Sequence, residues 1–447
     1  MHFFRPVAIF LLTLLAYVSF APQNPQNAQN VTRTALAVSL SEGRVDIDRH
    51  ARFTVDKAFF EGHYYADKPP GLSLLAVPAI IVTRAWLTAT GQDSDPLSHS
   101  GFVAYLTAST VLVVSLLGAM ASALVYAVSR RLGASDAGAL FAGCALAIGT
   151  PFFGWSTAFF SHSVTGSLLL IGFALVVCDR GQGRSWTAPV LGLLLGFVAI
   201  VDFTSVFAAA LVGGLYLLDN KARFWPATIW LGAGGLVGLA PLFIYNAIAF
   251  HSPFRLGYSA VVGFNGMQEG LFGLTSPDFA VLWEILFGLY RGLLPLSPVL
   301  ILVPLGLARM AEDQTRRGPA WVIAGTVAIT VLINISYYYW NGGNSTGPRM
   351  LVGMLPIAAV ALAFAWPKTS WGRAVSIALL VISVLVSGVC ASTTMFVRDR
   401  FMVPFFETLL PSFLTPGGLF RAVPLGLVWC GFVVMLLWRE PAGSERL

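Results

Sequence analysis

Long apolar segments recur along nearly the whole sequence, and they constrain the fold more than any other feature. Hydrophobic residues make up 56% of the 447 residues and charged residues only 11%, whereas soluble domains carry about 25% charged residues. Many of the runs reach about 20 residues, which is enough for a helix to cross a bilayer. The sequence therefore predicts an all-α polytopic membrane protein.

We predict about twelve membrane-spanning helices within a single membrane domain over residues 1–447. The predicted spans are residues 6–22, 102–129, 136–155, 161–178, 187–201, 203–219, 225–249, 281–307, 319–339, 350–366, 373–393 and 420–438. The apolar segment 71–88 contains Pro78 and Arg84, so we predict an interfacial or re-entrant helix there and not a span. Residues 6–21 are expected to stay attached as the first helix and not to act as a cleaved signal peptide.

Basic residues in the short loops predict the orientation. With segment 71–88 kept outside, the loops containing Arg130, Arg180, Lys221 and Arg309 share one side, which the positive-inside rule assigns to the cytoplasm. Both termini are then cytoplasmic, the protein lies in the inner membrane, and residues 23–101 form a first periplasmic loop with interfacial helices. No soluble domain is expected after the last span.

The charge and cysteine patterns exclude two classes of protein. The net charge is +6, but the basic residues are scattered through loops, which is not typical of nucleic-acid binding. This distribution suits anionic lipid headgroups and phosphate-bearing substrates. The four cysteines lie in or beside apolar segments without a Cys-x-x-Cys pair, which argues against a disulfide framework or a zinc site.

Three carboxylates of the first loop, Asp46, Asp48 and Asp56, are candidate general bases. A positioned carboxylate that takes a proton from a hydroxyl contributes roughly 10²–10⁴-fold to a rate. In an extended segment Asp46 and Asp48 would point to opposite sides, so only one of them can face a given site. The alternative is that all three are ordinary solvated acids of a loop.

Three cations, Lys68, Arg291 and Arg349, lie at predicted outer ends of helices. Placed cations stabilise negative charge that grows on a phosphate group in a transition state. The alternative is that they extend to lipid headgroups. Lys68 and Arg349 adjoin proline and glycine residues, and this non-helical setting favours a fixed position.

Further candidates stand at predicted helix ends. His162 can orient an acceptor, bind a donor or share a proton, or it can be a plain interfacial histidine. Asp202 lies between two short predicted spans, where an acid is costly unless it is paired. The glycine-rich loop 340–349, with Asn344, offers donors to phosphate or sugar hydroxyls, or it is simply a tight turn.

The segment Asp67-Lys68-Pro69-Pro70 resembles the Asp/Glu-Lys-Pro-Pro element of membrane glycosyltransferases with the GT-C fold. These include the dolichyl-phosphate-mannose–protein mannosyltransferases and the lipid A aminoarabinose transferases. The region of Arg291 and the loop ending in Gly347-Pro348-Arg349 carry the same resemblance. It implies the GT-C fold and inverting transfer of a sugar from a polyprenyl phosphate on the outer face. Lys68 matches the family lysine that contacts the donor phosphate, and Arg291 and Arg349 match other cations on the phosphate side.

The chain departs from the family pattern in three places. Where the family has an Asp-Glu pair after the first helix, residues 24–29 contain no acid, so the base would come from Asp48, Asp46 or Asp56. A family aspartate corresponds roughly to His162, and a family lysine to Asp202.

The resemblance implies a polyprenyl-phosphate sugar donor, membrane lipids as surroundings and an acceptor that is a glycan, a lipid or a protein. No cofactor is required, although Mg²⁺ or Mn²⁺ on Asp46, Asp48 and Asp56 stays open because hard oxygen ligands suit these ions. The alternative from another class is a multi-span transporter or lipid flippase, since acids at membrane depth mark substrate paths. An inactive scaffold is a third interpretation.

Overall fold

Helices form most of the computed structural model, which describes residues 4–437 apart from Gln23 and Gln26. In the first half they are α1 (Phe4–Ser19), α2 (Ala28–Ser41), α3 (Gly71–Ala89), α4 (His99–Ser109), α5 (Leu116–Arg131), α6 (Asp136–Ile148), α7 (Phe152–Trp155), α8 (Ser161–Asp179), α9 (Thr187–Val201) and α10 (Val206–Asp219). In the second half they are α11 (Phe224–Phe250), α12 (Phe279–Phe287), α13 (Leu293–Leu296), α14 (Val303–Glu312), α15 (Gln314–Ile335), α16 (Leu355–Ala365), α17 (Ser370–Thr393), α18 (Leu410–Phe413), α19 (Pro416–Arg421) and α20 (Val423–Leu437). The tail from Arg439 onward lies outside the described residues.

Seven helices in the described part are long and apolar enough to cross a membrane: Gly71–Ala89, His99–Arg131, Ser161–Asp179, Lys221–Phe250, Gln314–Ile335, Ser370–Thr393 and Pro416–Met435. Shorter apolar helices accompany them: Phe4–Ser19, Asp136–Ile148, Thr187–Val201, Phe203–Asp219 and Arg349–Ala365. The prediction of an all-α, multi-pass membrane protein is confirmed. Helix α3 is also long and apolar enough to cross a membrane. Its length and composition therefore do not support the prediction that segment 71–88 is an interfacial or re-entrant helix.

The predicted single span over residues 281–307 is wrong. Helix α12 ends at Phe287, and after the short α13 the chain continues as a 3₁₀ turn, Pro298–Leu302, before α14. Glycine and proline interrupt the segment, and the Glu284 carboxylate accepts hydrogen bonds from the backbone N–H groups of Tyr290 and Arg291. Because these N–H groups bond to a side chain and not to backbone carbonyls, the hydrogen bonds of the helix stop at this point.

Helices α6 and α16 form the centre of the bundle. Every residue of α16 is buried, as is every residue of α6 from Gly138 to Ile148. A helix that is apolar on all sides is stable only when other helices surround it. Here α5, α8 and α14 pack around the pair. The predicted span over residues 136–155 is too long, because α6 ends at Ile148.

The first loop builds a small core of its own. The strands β1 (Lys57–Phe60) and β2 (His63–Ala66) pair as an antiparallel hairpin. Apolar side chains of α2 and of the hairpin pack with Tyr245, Ala249 and Phe250 at the end of α11. The loop is therefore fixed to the bundle by apolar contacts.

Helices α9 and α11 approach each other closely through glycine. A Cβ atom on any of four glycines would lie 2.0 to 2.3 Å from a carbonyl oxygen of the opposite helix: Gly192 and Gly196 of α9, and Gly234 and Gly238 of α11. Small residues allow such close backbone packing between membrane helices.

Substitution of Gly234 tests this interface. Gly234→Ala places a methyl group against the carbonyl of Pro189, and overpacking of this kind costs about 1–3 kcal/mol. We expect a lower unfolding temperature of the purified protein in detergent. Gly232→Ala, on the same helix with nothing within 4 Å, should leave this temperature unchanged or raise it. Equal losses in both variants would contradict the close approach.

The hairpin carries a pH-dependent contact. His63 Nδ1 lies 2.6 Å from Asp48 Oδ2, and this hydrogen bond raises the pKa of His63. The folded chain thus binds the proton more tightly than the unfolded chain, whose histidine pKa is about 6.5. The stabilisation is complete below that pH and is lost as pH rises through the raised pKa.

Substitution of His63 tests this contact. We expect His63→Gln to lower the unfolding temperature at acidic pH and to leave it unchanged at alkaline pH. The matched control is His99→Gln, because His99 bonds to the neutral Asn24. A pH-independent effect of the His63 substitution would be inconsistent with the pair.

Candidate active site

A glycine at the start of α3 sets the position of the Asp67-Lys68 element. A Cβ atom on Gly71 would lie 2.5 Å from the carbonyl oxygen of Ile200 near the end of α9. Glycine therefore allows the start of α3 to touch the end of α9. This contact puts Asp67 and Lys68 at the same end of the bundle as Asp202, which directly follows α9.

Lys68 is paired with two acids. Its Nζ atom donates to Asp67 Oδ2 at 2.5 Å and lies 4.0 Å from Asp56 Oδ1. Asp67 is buried, and its second oxygen has no hydrogen-bond partner in the described part of the chain. Burial raises the pKa of Asp67, while the neighbouring Lys68 acts in the opposite direction.

His162 and Asp202 form a second pair. His162 Nδ1 lies 3.2 Å from Asp202 Oδ2. The other carboxylate oxygen of Asp202 accepts from the backbone N–H and the hydroxyl of Thr204, at 3.2 and 2.8 Å. The acid predicted to need a partner at this depth therefore has one, and that partner is a histidine.

Arg349 is a buried cation without a carboxylate partner. Its side chain is 6% exposed, its Nε atom has no hydrogen-bond partner, and it forms no ion pair within the described chain. The guanidinium lies over the ring of Phe160, 5.4 Å from its centroid. Gly342, with φ of +70°, passes close to it, since a Cβ atom there would lie 2.8 Å from Arg349 Nε.

Arg33 is a site residue that the sequence reasoning missed. It lies on α2, is 3% exposed and donates to Ser161 Oγ at 3.2 Å. Its Nε and Nη1 atoms have no hydrogen-bond partner among residues that the structure describes. Burial lowers the pKa of Arg33, and the charges of Asp202, Asp67 and Asp56 oppose this effect. The sequence did contain a signal for Arg33, because it is the one charged residue in the α2 sequence.

These residues form one group, which we call the central cluster: Arg33, Asp56, Asp67, Lys68, His162, Asp202 and Arg349. It contains two arginines, one lysine, three acids and one histidine. Lys68 pairs with Asp67, and Asp202 pairs with His162. The two guanidinium groups are the cations of the cluster that form no ion pair among the described residues.

Of the three first-loop acids, only Asp56 lies in the central cluster. Asp48 accepts from the backbone N–H of Tyr64 and contacts His63, both at 2.6 Å. Asp46 pairs with Arg44 at 2.9 Å. Both carboxylates are thus bonded within the loop, and the preference for Asp48 over Asp56 finds no support in the geometry.

Arg291 holds the loop that carries Arg349. Its guanidinium donates to the carbonyl oxygens of Asn341 and Gly343, at 3.1 and 2.8 Å, and its side chain lies over the ring of Tyr290. Asn344, in contrast, is exposed on the same loop. The geometry therefore makes Arg291 a support for the loop.

The three candidate metal ligands Asp46, Asp48 and Asp56 do not converge. In the described part of the chain no three His, Cys, Asp or Glu side chains are placed together so as to hold a metal ion. The donor set of the first loop therefore does not fit a Mg²⁺ or Mn²⁺ site.

An apolar cavity of about 210 Å³ adjoins the Arg349 loop. Its lining residues are Leu289, Tyr290, Gly292, Pro295, Leu296, Thr346, Gly347, Val386, Val403, Pro404, Phe405, Phe406 and Leu409. The broken segment after α12, the loop and α17 all contribute to it. A mainly hydrocarbon lining suits an apolar ligand.

The fold is the GT-C fold of membrane glycosyltransferases, as predicted. The chain is similar in structure to ArnT from Cupriavidus metallidurans, a lipid A aminoarabinose transferase. ArnT solved bound to undecaprenyl phosphate is 14% identical, with a TM-score of 0.53 over 97% of this chain and 76% of ArnT. ArnT in the apo state gives a TM-score of 0.54 over 97% and 75%.

The archaeal oligosaccharyltransferase AglB from Archaeoglobus fulgidus, in complex with an inhibitory peptide and a dolichol-phosphate, is 12% identical. Its TM-score is 0.47 over 99% of this chain and 61% of AglB. No family model matches the chain, and no curated protein matches it in sequence.

Proposed function

We propose that this protein is an inner-membrane glycosyltransferase that moves a sugar from a polyprenyl-phosphate donor to an acceptor hydroxyl. In this proposal both termini are cytoplasmic, the central cluster faces the periplasm, and the acceptor is a glycan, a lipid or a protein. The observation that carries the proposal is the buried Arg349 guanidinium, which has an unpartnered Nε and no carboxylate partner among the described residues.

A buried cation without a partner is costly in a protein interior. An anion bound beside Arg349 would remove that cost and would form charge-assisted hydrogen bonds. The phosphate of a polyprenyl-phosphate sugar gains negative charge as the bond to the sugar breaks. Cations that are already in place stabilise this charge more in the transition state than in the ground state.

The reaction is a single displacement with inversion. The acceptor hydroxyl attacks the anomeric carbon, the carbon–oxygen bond to the phosphate breaks, and the electron pair leaves with the phosphate oxygen. Arg349 and Lys68 hold the departing phosphate, and Arg291 keeps the loop of Arg349 in position. Among the first-loop acids Asp56 is the candidate for catalysis, because it lies beside Lys68.

The lipid part of the donor also has a place in this proposal. The apolar cavity shares Thr346 and Gly347 with the loop that carries Arg349. A polyprenyl chain that starts at a phosphate on Arg349 would bury apolar surface in this cavity, which is favourable by roughly 25 cal/mol per Å².

Loss of either phosphate-side cation should reduce transfer. We expect Lys68→Ala and Arg349→Ala to lower the rate of polyprenyl phosphate release by roughly 10²-fold or more. Release is measured with purified protein, a panel of polyprenyl-phosphate sugars and cell-envelope acceptors. The matched controls are Lys221→Ala and Arg400→Ala, whose side chains are exposed. Unchanged release in both cluster variants would refute the phosphate site.

Narrowing the cavity should weaken donor binding. Val386→Trp puts a large side chain into the cavity lining, so we expect a higher KM for the lipid donor with kcat little changed. Val381→Trp, on the exposed side of the same helix, is the control. If the Val386 variant keeps its KM, the lipid chain binds elsewhere.

A further inference from the structure

One ring nitrogen of His162 is fixed and the other is free. Nδ1 contacts Asp202 at 3.2 Å, whereas Nε2 has no hydrogen-bond partner among the described residues. The side chain is 16% exposed, so the ring is not sealed inside the bundle. An imidazole whose Nδ1 is hydrogen-bonded and whose Nε2 has no partner among the described residues can exchange a proton at Nε2.

Asp202 determines which nitrogen can act as the base. A carboxylate accepts, so Nδ1 carries the hydrogen of the neutral ring and the lone pair lies on Nε2. Thr204 holds the other oxygen of Asp202 through two hydrogen bonds, which limits rotation of the carboxylate. The same acid stabilises the imidazolium that forms when Nε2 takes a proton.

Asp56 is placed differently. Its Oδ1 atom lies 4.0 Å from the Lys68 ammonium, and the charge of Arg349 is also close. An acid among cations balances their charge. The geometry distinguishes the two groups, because Asp56 lies among the cations while the His162 ring is oriented by its hydrogen bond to Asp202.

We propose that His162, oriented by Asp202, accepts the proton of the acceptor hydroxyl. This inference rests on the proposed function and names its general base. The hydroxyl O–H bond breaks, Nε2–H forms, and the freed oxygen bonds to the anomeric carbon as the phosphate leaves with its electron pair. The proton later passes from Nε2 to water.

The charges around His162 come from three elements. Asp202 follows α9, Arg33 lies on α2, and Arg349 opens the 3₁₀ turn before α16. The two guanidinium groups disfavour a third positive charge nearby until an anion binds. A phosphate that gains charge beside them offsets this repulsion, so proton uptake by His162 is favoured as the donor bond breaks.

The test compares His162→Gln, Asp202→Asn and Asp56→Asn for acceptor-dependent transfer across pH, with donor binding measured separately. We expect His162→Gln to lose roughly 10²–10⁴-fold in rate while it still binds the donor. The wild-type rate should fall at acidic pH as His162 becomes protonated. That acidic decline should persist in Asp56→Asn, move in Asp202→Asn and be absent from the residual activity of His162→Gln.

A rescue experiment separates chemistry from structure. Added imidazole should restore part of the transfer rate of His162→Ala and should not restore Asp56→Ala. A wild-type rate in His162→Gln, or an acidic decline that disappears only in Asp56→Asn, would overturn the assignment in favour of the acid. Absence of polyprenyl phosphate release by the wild type with every donor would instead refute the proposed function, and this inference with it.

Discussion

The contact between the start of α3 and the end of α9 is the constraint on which the site depends. Gly71 lets the two helix ends touch, and Pro70 directly before it is the N-cap residue of α3. The lysine of the first loop and the acid after α9 are thereby brought to one end of the bundle. The loop itself rests on the end of α11 through an apolar core, so its charged residues are held by packing and not by charge alone.

The cations and acids of the central cluster are equal in number but are not all joined in close pairs. Two of its acids have close partners, Asp67 with Lys68 and Asp202 with His162. The two guanidinium groups are buried and form no ion pair with an acid in the described part of the chain. In a medium of low dielectric constant this arrangement favours the arrival of an anion much more than a surface cation would. The two guanidinium groups without an ion pair among the described residues thus come from α2 and from the end of the glycine-rich loop.

The sequence predicted the membrane class and most helices, because apolar length reports directly on membrane helices, and the resemblance of the Asp67–Pro70 segment to a known family implied the GT-C fold. It failed at residues 281–307, where apolar composition masks the breaks that Glu284 helps to stabilise. It favoured Asp48 for catalysis, although hydrogen bonds to the hairpin occupy that carboxylate, and it overlooked Arg33. The positions of Asp48 and Arg33 were not predictable for one reason: which polar side chains of a loop point inward depends on how the loop packs against distant helices.

The Arg349 loop is anchored on both sides of its exposed tip. Arg291 binds its first carbonyl oxygens, and the backbone N–H groups of Ser345 and Thr346 donate to Val397 and Met395. Ordering a mobile loop upon binding would cost conformational entropy. A ligand that bound at this loop would find the cation already placed, so the loop would not have to close or become ordered around it.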